Sequence, residues 1–176
     1  LRQPLPNTSF YSDHLLDQSR RLILGRSDLS ILLLDDVQLR RKLTSELAAE
    51  FGLRVVHEST TPDSNGVVCC SSSWWMNHHD QLPLPGQLII ALLPFPSLEL
   101  PVIAARVNAF KKQGRDWFRD LLLPDLISTL PIIVDPVRRS HGRLAILDGR
   151  LRSRSWGGSV FKALQPWTPL DRLLPS

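Results

Sequence analysis

The sequence predicts an α/β protein in which a mainly parallel sheet carries helices on both faces. Four short apolar runs, at 31–34, 66–70, 88–93 and 144–147, are bounded by turn-forming residues, as strands buried on both faces usually are. Segments with helical spacing alternate with these runs, and this alternation indicates parallel strands joined by helices. A length of 176 residues suits one domain of this kind.

Helix boundaries are predicted from caps, glycines and the spacing of apolar residues. Asp13 can cap a first helix that ends near Gly25. Apolar residues at every fourth position predict a second helix over 37–51, with Gly52 as its stop. An apolar strand that ends in two aspartates also occurs in Mg²⁺-dependent nucleotide hydrolases, but such sites need a GxxxxGK[ST] phosphate loop, which the sequence lacks. We therefore interpret Asp36 as the cap of the second helix.

The second half of the chain is predicted to alternate helices with its last strands. Helices are expected over 98–112 and 116–130, with prolines punctuating the second, and a short helix is expected over 159–164. A further strand is predicted over 53–56. The polar and aromatic segment 71–86 is predicted to be a loop between two buried strands. Loops at the carboxyl ends of parallel strands are where α/β proteins place their chemistry.

The distribution of charge allows anionic partners. The formal net charge is +4 and the pI is about 9.6, while 43% hydrophobic and 22% charged residues are ordinary for a soluble protein. One stretch with a single acid, Asp148, holds six arginines: Arg138, Arg139, Arg143, Arg150, Arg152 and Arg154. Such a cluster fits nucleic-acid phosphate and a solvated surface face equally well.

The cysteines and the apolar runs suggest a cytoplasmic protein. Cys69 and Cys70 are adjacent within a predicted strand, so we interpret them as buried, reduced thiols. No apolar run approaches the roughly 18 residues that cross a bilayer, and the first residues lack a signal-peptide pattern. We expect a cytoplasmic location and no membrane partner.

The segment 71–86 carries residue types that could perform chemistry, but none in a diagnostic pattern. His78, His79 and Asp80 have no further ligand at a metal-binding spacing, so no metal is predicted. No G-x-S-x-G nucleophile elbow is present, so no catalytic residue is assigned. Trp74 and Trp75 could pack in the core, which is the favoured interpretation, or could form a platform for bases.

Several motifs follow one another in an informative order. Ser73-Trp74-Trp75 precedes Leu84-Pro85-Gly86 and the run LIIALLPFP at 88–96, and these are followed by GRDWF at 114–118, Leu123-Pro124, AILDGR at 145–150 and Trp156-Gly157. This order resembles the C-terminal motor domain of DinG/XPD-type DNA helicases of superfamily 2. The family pattern is S-x-W-E-G-x-D-x-P-G, a strand, L-P-F-x-x-P, a helix pair, and v-x-i-l-D-x-R before Tyr-Gly.

The resemblance implies a RecA-like three-layer sandwich over residues 10–165, with an extended arm over 1–9 and an irregular tail over 166–176. In the family, this domain forms one wall of an ATP cleft and binds single-stranded DNA. An N-terminal RecA-like domain, in the same or another chain, supplies the phosphate loop. ATP and Mg²⁺ are therefore expected only when the two domains pair, and no cofactor is expected for this chain alone.

The sequence departs from the family where the second domain senses ATP. The family motif Q-G-x-G-R-x-x-R precedes the v-x-i-l-D strand. Counting back from Arg139, its Gln falls on Ile132, its glycines on Ile133 and Asp135, and its first Arg on Pro136. Loss of an arginine finger lowers an ATPase rate about 10³-fold or more, so the chain alone is expected to be inactive.

The resemblance assigns two sets of candidate site residues. Nucleotide phosphate would meet Arg138, Arg139 and Asp80, although Asp80 matches the family's Asp only across an insertion and Met76 replaces the family's Glu. Nucleic acid would meet Trp74, Trp75, Arg143, Arg150, Arg152 and Arg154. The alternative hypothesis is a non-catalytic module that keeps the helicase fold and binds nucleic acid or protein.

Overall fold

The structure is a computed structural model that describes residues 8–168. Residues 1–7 of the predicted arm and residues 169–176 of the predicted tail lie outside the described residues. Five parallel strands form one sheet in the order β2-β3-β1-β4-β5. They are β1 (Ser30–Leu33), β2 (Val55–His57), β3 (Val67–Cys70), β4 (Gln87–Ile90) and β5 (Arg143–Ile146). The predicted parallel sheet is confirmed, and the four predicted apolar strands are neighbours in it. Of these, β3, β1 and β4 are central, whereas β5 lies at the edge and is only partly buried.

Helices cover both faces of the sheet and connect its strands, except that a segment without helix at 58–66 joins β2 to β3. They are α1 (Thr8–Ile23), α2 (Val37–Phe51), α3 (Ser72–His78), α4 (Pro101–Lys112), α5 (Leu123–Arg139), α6 (Arg150–Ser153) and α7 (Gly157–Leu164). Two 3₁₀ turns follow α2 and α3, at Gly52–Arg54 and His79–Gln81, and a π-helical turn at Phe118–Leu122 leads into α5.

The alternation of side chains along each strand divides the core into two layers. Leu32 of β1 faces α1 and α2, whereas Ile31 and Leu33 face α3, α5, α6 and α7. Each of these three leucine and isoleucine side chains is at most 1% exposed, and such burial stabilises the fold by about 1.5–3 kcal/mol per side chain. The result is the three-layer α/β sandwich of the RecA-like type that the sequence predicts.

Helix α2 has the predicted bounds and the predicted caps. The Oδ1 atom of Asp36 accepts a hydrogen bond from the backbone N of Leu39 at 2.9 Å, which satisfies one of the free N–H groups of the first turn. Gly52 follows the helix with φ of +72°, a left-handed conformation that favours glycine. Asp13, in contrast, is not a cap, because α1 already begins at Thr8.

Two predicted boundaries are wrong because tertiary packing outweighs local propensity. The segment predicted as a loop after β3 contains α3, whose cap is the Oγ of Ser71 and whose Trp75 is fully buried. Helix α5 was predicted to stop at Pro131 but continues to Arg139 through Pro136 as well. A proline inside a helix costs about 3 kcal/mol or more. Burial of the apolar face of α5 offsets that cost; its last two turns bury Leu130, Ile133, Val134 and Val137.

Helix α4 lies outside the two main layers. Only its Val107 is buried, against Leu121 and Leu122 of the π-helical turn, where these residues form a small third cluster. This satellite packs beside Phe95 and Phe118, beyond the carboxyl ends of the strands. Between residues 8 and 168 no helix is both long and apolar enough to cross a membrane.

Candidate nucleic-acid interface

The strand order places a topological switch point at the carboxyl ends of β1 and β4. Helix α2 carries the chain from β1 towards β2 on one side of the sheet, whereas α4 and α5 carry it from β4 to β5 on the other. In open parallel sheets, ligands bind in the crevice where such connections diverge. The loops at this edge are therefore the expected position of a ligand-binding site.

Asp35, at the end of β1, ties that loop to the start of α3. Its Oδ1 accepts a hydrogen bond from the backbone N of Ser72 at 2.7 Å, and its Oδ2 accepts one from the Oγ of Ser72 at 2.8 Å. Asp36, the next residue, caps α2 through its Oδ1. The pair positions loops at the switch point.

Arg40 is a buried cation that the sequence analysis did not single out. Its Nη1 donates to the backbone O of Leu34 at 2.9 Å and of Asp35 at 3.1 Å, so it satisfies carbonyl groups at the carboxyl end of β1. Its Nε donates to the Nε2 of His57 at 3.2 Å. Arg40 stands in the same helical stripe as Leu43, and a charge within an apolar stripe is a signal that could have identified it.

Glu58 extends this network across the edge strand β2. Its Oε1 lies 4.0 Å from the Nη2 of Arg40 and accepts a hydrogen bond from the backbone N of Ser71 at 3.2 Å. Glu58 has φ of +45°, an uncommon conformation for a residue other than glycine. The network thus holds the ends of β1, β2 and β3 together.

Asp148 holds the loops after β4 and β5 together on the other side of the switch point. Its Oδ2 accepts a hydrogen bond from the backbone N of Leu93 at 3.0 Å, and its carboxylate receives the Nη2 of Arg150 at 2.6 Å. Burial raises the pKa of this carboxyl group. The hydrogen bonds and charge of Arg150, together with the backbone N–H groups of Leu93 and Arg150, lower the pKa by more than burial raises it, so the net pKa is below its usual value.

Aromatic side chains form a cluster beside this ion pair. The guanidinium of Arg150 lies 5.3 Å from the ring centroid of Phe95. Phe95 contacts Phe118 at 5.4 Å and Trp156 at 5.3 Å, and the rings of Phe118 and Trp156 are 5.6 Å apart. Trp117 contacts Phe118 edge to face at 6.5 Å. The cluster joins the loop after β4, the π-helical turn and the start of α7.

The six arginines of the basic stretch lie at opposite edges of the sheet, because strand β5 separates them. Arg138 and Arg139 end α5 at the amino edge, where the Oγ of the next residue, Ser140, donates to the backbone O of Pro85. The Nη2 of Arg138 donates to the backbone O of Leu164 at 2.8 Å. Arg139 pairs with Asp135 at 2.9 Å, one helical turn earlier.

Arg143 also lies at the amino edge, in a partly buried polar network. Its Nη2 donates to the Oε1 of Gln87 at 2.6 Å and to the backbone O of Leu22 at 2.9 Å, at the end of α1. The fully buried Gln87 also donates to Leu22 and to Ser30. Burial and the nearby charge of Arg26 lower the pKa of Arg143. These contacts give Arg143 a structural role in joining α1 to the sheet.

Arg152 and Arg154 lie at the carboxyl edge and are exposed. They belong to α6 and the residue that caps it, next to the Asp148–Arg150 pair. Neither side chain makes an ion pair or hydrogen bond with any residue in the range 13–168, where the structure describes side chains. The Nη2 of Arg119 donates to the Oγ of Ser155 at 3.3 Å and so brings a third arginine to this surface. Within the basic stretch, Arg152 and Arg154 are therefore exposed and available to contact a phosphate.

The two adjacent tryptophans differ in accessibility. Trp75 is 0% exposed and its Nε1 donates to the backbone O of Ile133 at 2.9 Å, so its ring is a core element that no base reaches in this structure. Trp74 is half-buried and stacks on His78, with ring centroids 4.6 Å apart. Asp80 is exposed on the 3₁₀ turn after α3. Among the described residues, it makes no hydrogen bond or ion pair with Arg138 or Arg139.

The candidate phosphate-binding residues lie apart among the described residues. Among them, no three His, Cys, Asp or Glu side chains group as a metal site. The carboxylates of Asp35 and Asp148 are both engaged, and the two candidate phosphate-sensing arginines lie at the edge opposite the switch point.

Sequence comparison finds relatives for part of the chain. No protein-family model matches it. The ATP-dependent DNA helicase YoaA of Haemophilus influenzae is 34% identical over 80 residues, which are 44% of this chain and 12% of that helicase. The YoaA helicase of Escherichia coli is 35% identical over 82 residues, 45% of this chain and 13% of the relative. The chain thus spans a small part of each relative, and a region of it is similar in sequence to ATP-dependent DNA helicases.

Proposed function

We propose that this chain is the C-terminal, second RecA-like domain of a DinG-like ATP-dependent DNA helicase. In this role it contributes a surface for single-stranded DNA and one wall of an ATP cleft. Its partner is an N-terminal RecA-like domain in the same or another chain. The parallel sheet with its switch point and the partial similarity to two DNA helicases support the proposal.

The observation that carries the DNA-binding part is the exposure of Arg152 and Arg154 beside the switch point. These side chains have no acidic partner among the described residues, and Arg119 lies close to them. Unpaired cations next to a crevice bind phosphates and release counterions, which drives nucleic-acid binding. At the amino edge, in contrast, Arg138 and Arg143 donate to backbone carbonyl groups, and Arg139 pairs with Asp135 on the same helix.

The proposal assigns this chain no catalytic role of its own. A phosphoryl-transfer site needs a phosphate loop and a metal held by free carboxylates. The sequence has no such loop, and the edge carboxylates already bind Ser72 and Leu93. Purified chain is therefore expected to show no ATPase activity unless the N-terminal domain is added.

A non-catalytic interaction module is the second candidate. The apolar residues at the family's ATP-sensing positions favour it, because Pro136 and Ile133 are buried in the apolar face of α5. Side chains packed in this way stabilise the fold and cannot donate hydrogen bonds to a phosphate. In this case the helicase fold would persist without coupling to ATP.

Oligonucleotide binding by paired variants tests the proposal. The double substitution Arg152→Ala with Arg154→Ala should weaken binding of a fluorescent single-stranded oligonucleotide by roughly tenfold, because two phosphate contacts are lost. Arg139→Ala is the matched control at the amino edge and should change the affinity less than about twofold, since it removes only an exposed intrahelical pair. Equal effects of the two changes would contradict the assigned surface, and no binding at all would favour the interaction module.

A further inference from the structure

Trp117 belongs to the GRDWF motif, was not among the predicted site residues, and lies partly exposed near the exposed arginines. Trp117 precedes the π-helical turn, and the ammonium of Lys111 lies 5.5 Å from the centroid of its ring. Lys111 is exposed in the last turn of α4. Trp117 is partly exposed, and the ring face that meets this solvated ammonium group lies at the surface.

Aromatic neighbours hold the ring in place. Trp117 meets Phe118 edge to face at 83°, and Phe118 packs on both Phe95 and Trp156. This aromatic cluster and the nearby Val107 fix the orientation of the indole. A platform that is already ordered loses little conformational entropy when a flat ligand stacks on it.

Arginines adjoin Trp117 in the sequence and on the neighbouring loop. Arg119 lies two residues after Trp117 and bonds to Ser155, the neighbour of Arg154. Arg119 pairs with Asp116 at 3.8 Å, and Arg115 pairs with Asp120 at 3.4 Å, but all four side chains are more than 40% exposed. Such exposed pairs contribute little to stability, so phosphate can replace the carboxylates.

We propose that Trp117 is a stacking platform for one base of a single-stranded nucleic acid, with the adjoining phosphates on Lys111, Arg119 and Arg154. A base stacked on an indole gains more than an exposed cation–π contact does, so the base displaces the ammonium of Lys111 from the ring. The displaced ammonium is then free to meet a phosphate. The nature of the ligand rests on the proposed function; the base contact is the new element.

An oligonucleotide without bases separates stacking from phosphate binding. The unchanged chain should bind a single-stranded oligothymidine about tenfold more tightly than an abasic strand of the same length. Trp117→Leu keeps apolar volume in the satellite cluster but removes the aromatic face, and it should abolish most of this preference while leaving abasic binding unchanged. Trp117→Phe should restore part of the preference, because a smaller ring still stacks. Thermal unfolding of each variant reports whether the fold is retained.

The outcomes distinguish this inference from the proposed function. If the chain binds both strands but Trp117→Leu keeps the full preference for oligothymidine, the stacking platform is wrong and the phosphate surface stands. If Trp117→Leu weakens both strands equally, its role is structural and the inference also fails. If the unchanged chain binds neither strand, the proposed DNA surface itself is wrong. Lys111→Gln should weaken both strands, since it removes a phosphate contact and not the platform.

Discussion

The backbone N of Leu93 donates a hydrogen bond to the Oδ2 of Asp148 at 3.0 Å and fastens the loop after β4 to the loop after β5. Arg150 pairs with the same carboxylate and lies over Phe95, two residues beyond Leu93. Through these contacts, one buried carboxylate orders the edge of the sheet that carries both the exposed arginines and the aromatic cluster.

Asp148→Asn should lower the free energy of unfolding by about 2 kcal/mol, because it weakens charge-assisted hydrogen bonds to a side chain that is 2% exposed. Urea unfolding at pH 7 measures the change. Asp63→Asn is the control, since Asp63 is exposed, and such a surface change is expected to stay within about 0.5 kcal/mol. A loss for Asp148→Asn no larger than that of the control would contradict the role of the carboxylate.

The contribution of Asp148 should also depend on pH with a defined sign. Its pKa is lower in the folded protein than in the unfolded chain, so its stabilising effect is fully present above the ordinary aspartate pKa. The effect disappears as the pH falls through the folded-state pKa. The difference in unfolding free energy between the unchanged chain and Asp148→Asn should therefore shrink from about pH 4 downwards. A difference that stays constant down to acid-induced unfolding would refute this assignment.

Two adjacent glycines at the start of α7 should respond in opposite ways to alanine. A Cβ at Gly157 would collide with the backbone O of Leu151, so Gly157→Ala forces α6 and α7 apart and should cost about 1–3 kcal/mol. A Cβ at Gly158 meets nothing within 4 Å, and alanine there should be neutral or stabilising by up to about 1 kcal/mol. Thermal unfolding of both variants checks the pair, and similar effects would disprove the close approach of the two helices.

The two thiols should be inert in the folded protein. Cys69 and Cys70 are free and buried, which confirms the interpretation from the sequence. Burial raises the pKa of Cys69 to about 11 and raises that of Cys70 well above its usual value. Because only thiolates react readily, labelling with a thiol reagent near pH 8 should wait for unfolding. Rapid labelling of either cysteine in the native protein would contradict the buried β3 strand.

The sheet was predictable because strands buried on both faces leave a simple pattern in the sequence. Residues 31–34 and 67–70 are apolar or cysteine throughout, and both lie in the centre of the sheet. Helix α3 was not predicted, because serines and histidines give it little intrinsic propensity. What stabilises it is burial of Trp75 against α5, a contact between residues 58 positions apart in the chain.

The arginines between 138 and 154 are close in the sequence but lie at two opposite edges of the sheet. The stretch from 138 to 154 contains strand β5, and the residues just before and just after a four-residue strand lie about 17 Å apart along it. Proximity in sequence therefore suggested one basic patch where the fold has two. Trp117 was not predicted as a binding residue for a related reason, because the groups around it come from α4 and the loop before α7.

The salt dependence of binding to single-stranded DNA tests the central claim most directly. Between roughly 50 and 200 mM salt, the logarithm of the association constant should fall linearly with the logarithm of salt concentration, with a slope near −0.7 for each phosphate contact. Arg152→Ala should make that slope shallower by about 0.7, whereas Arg139→Ala should leave it unchanged. Binding that is insensitive to salt, or a slope that Arg152→Ala does not alter, would contradict the assignment of this edge of the sheet as a nucleic-acid interface.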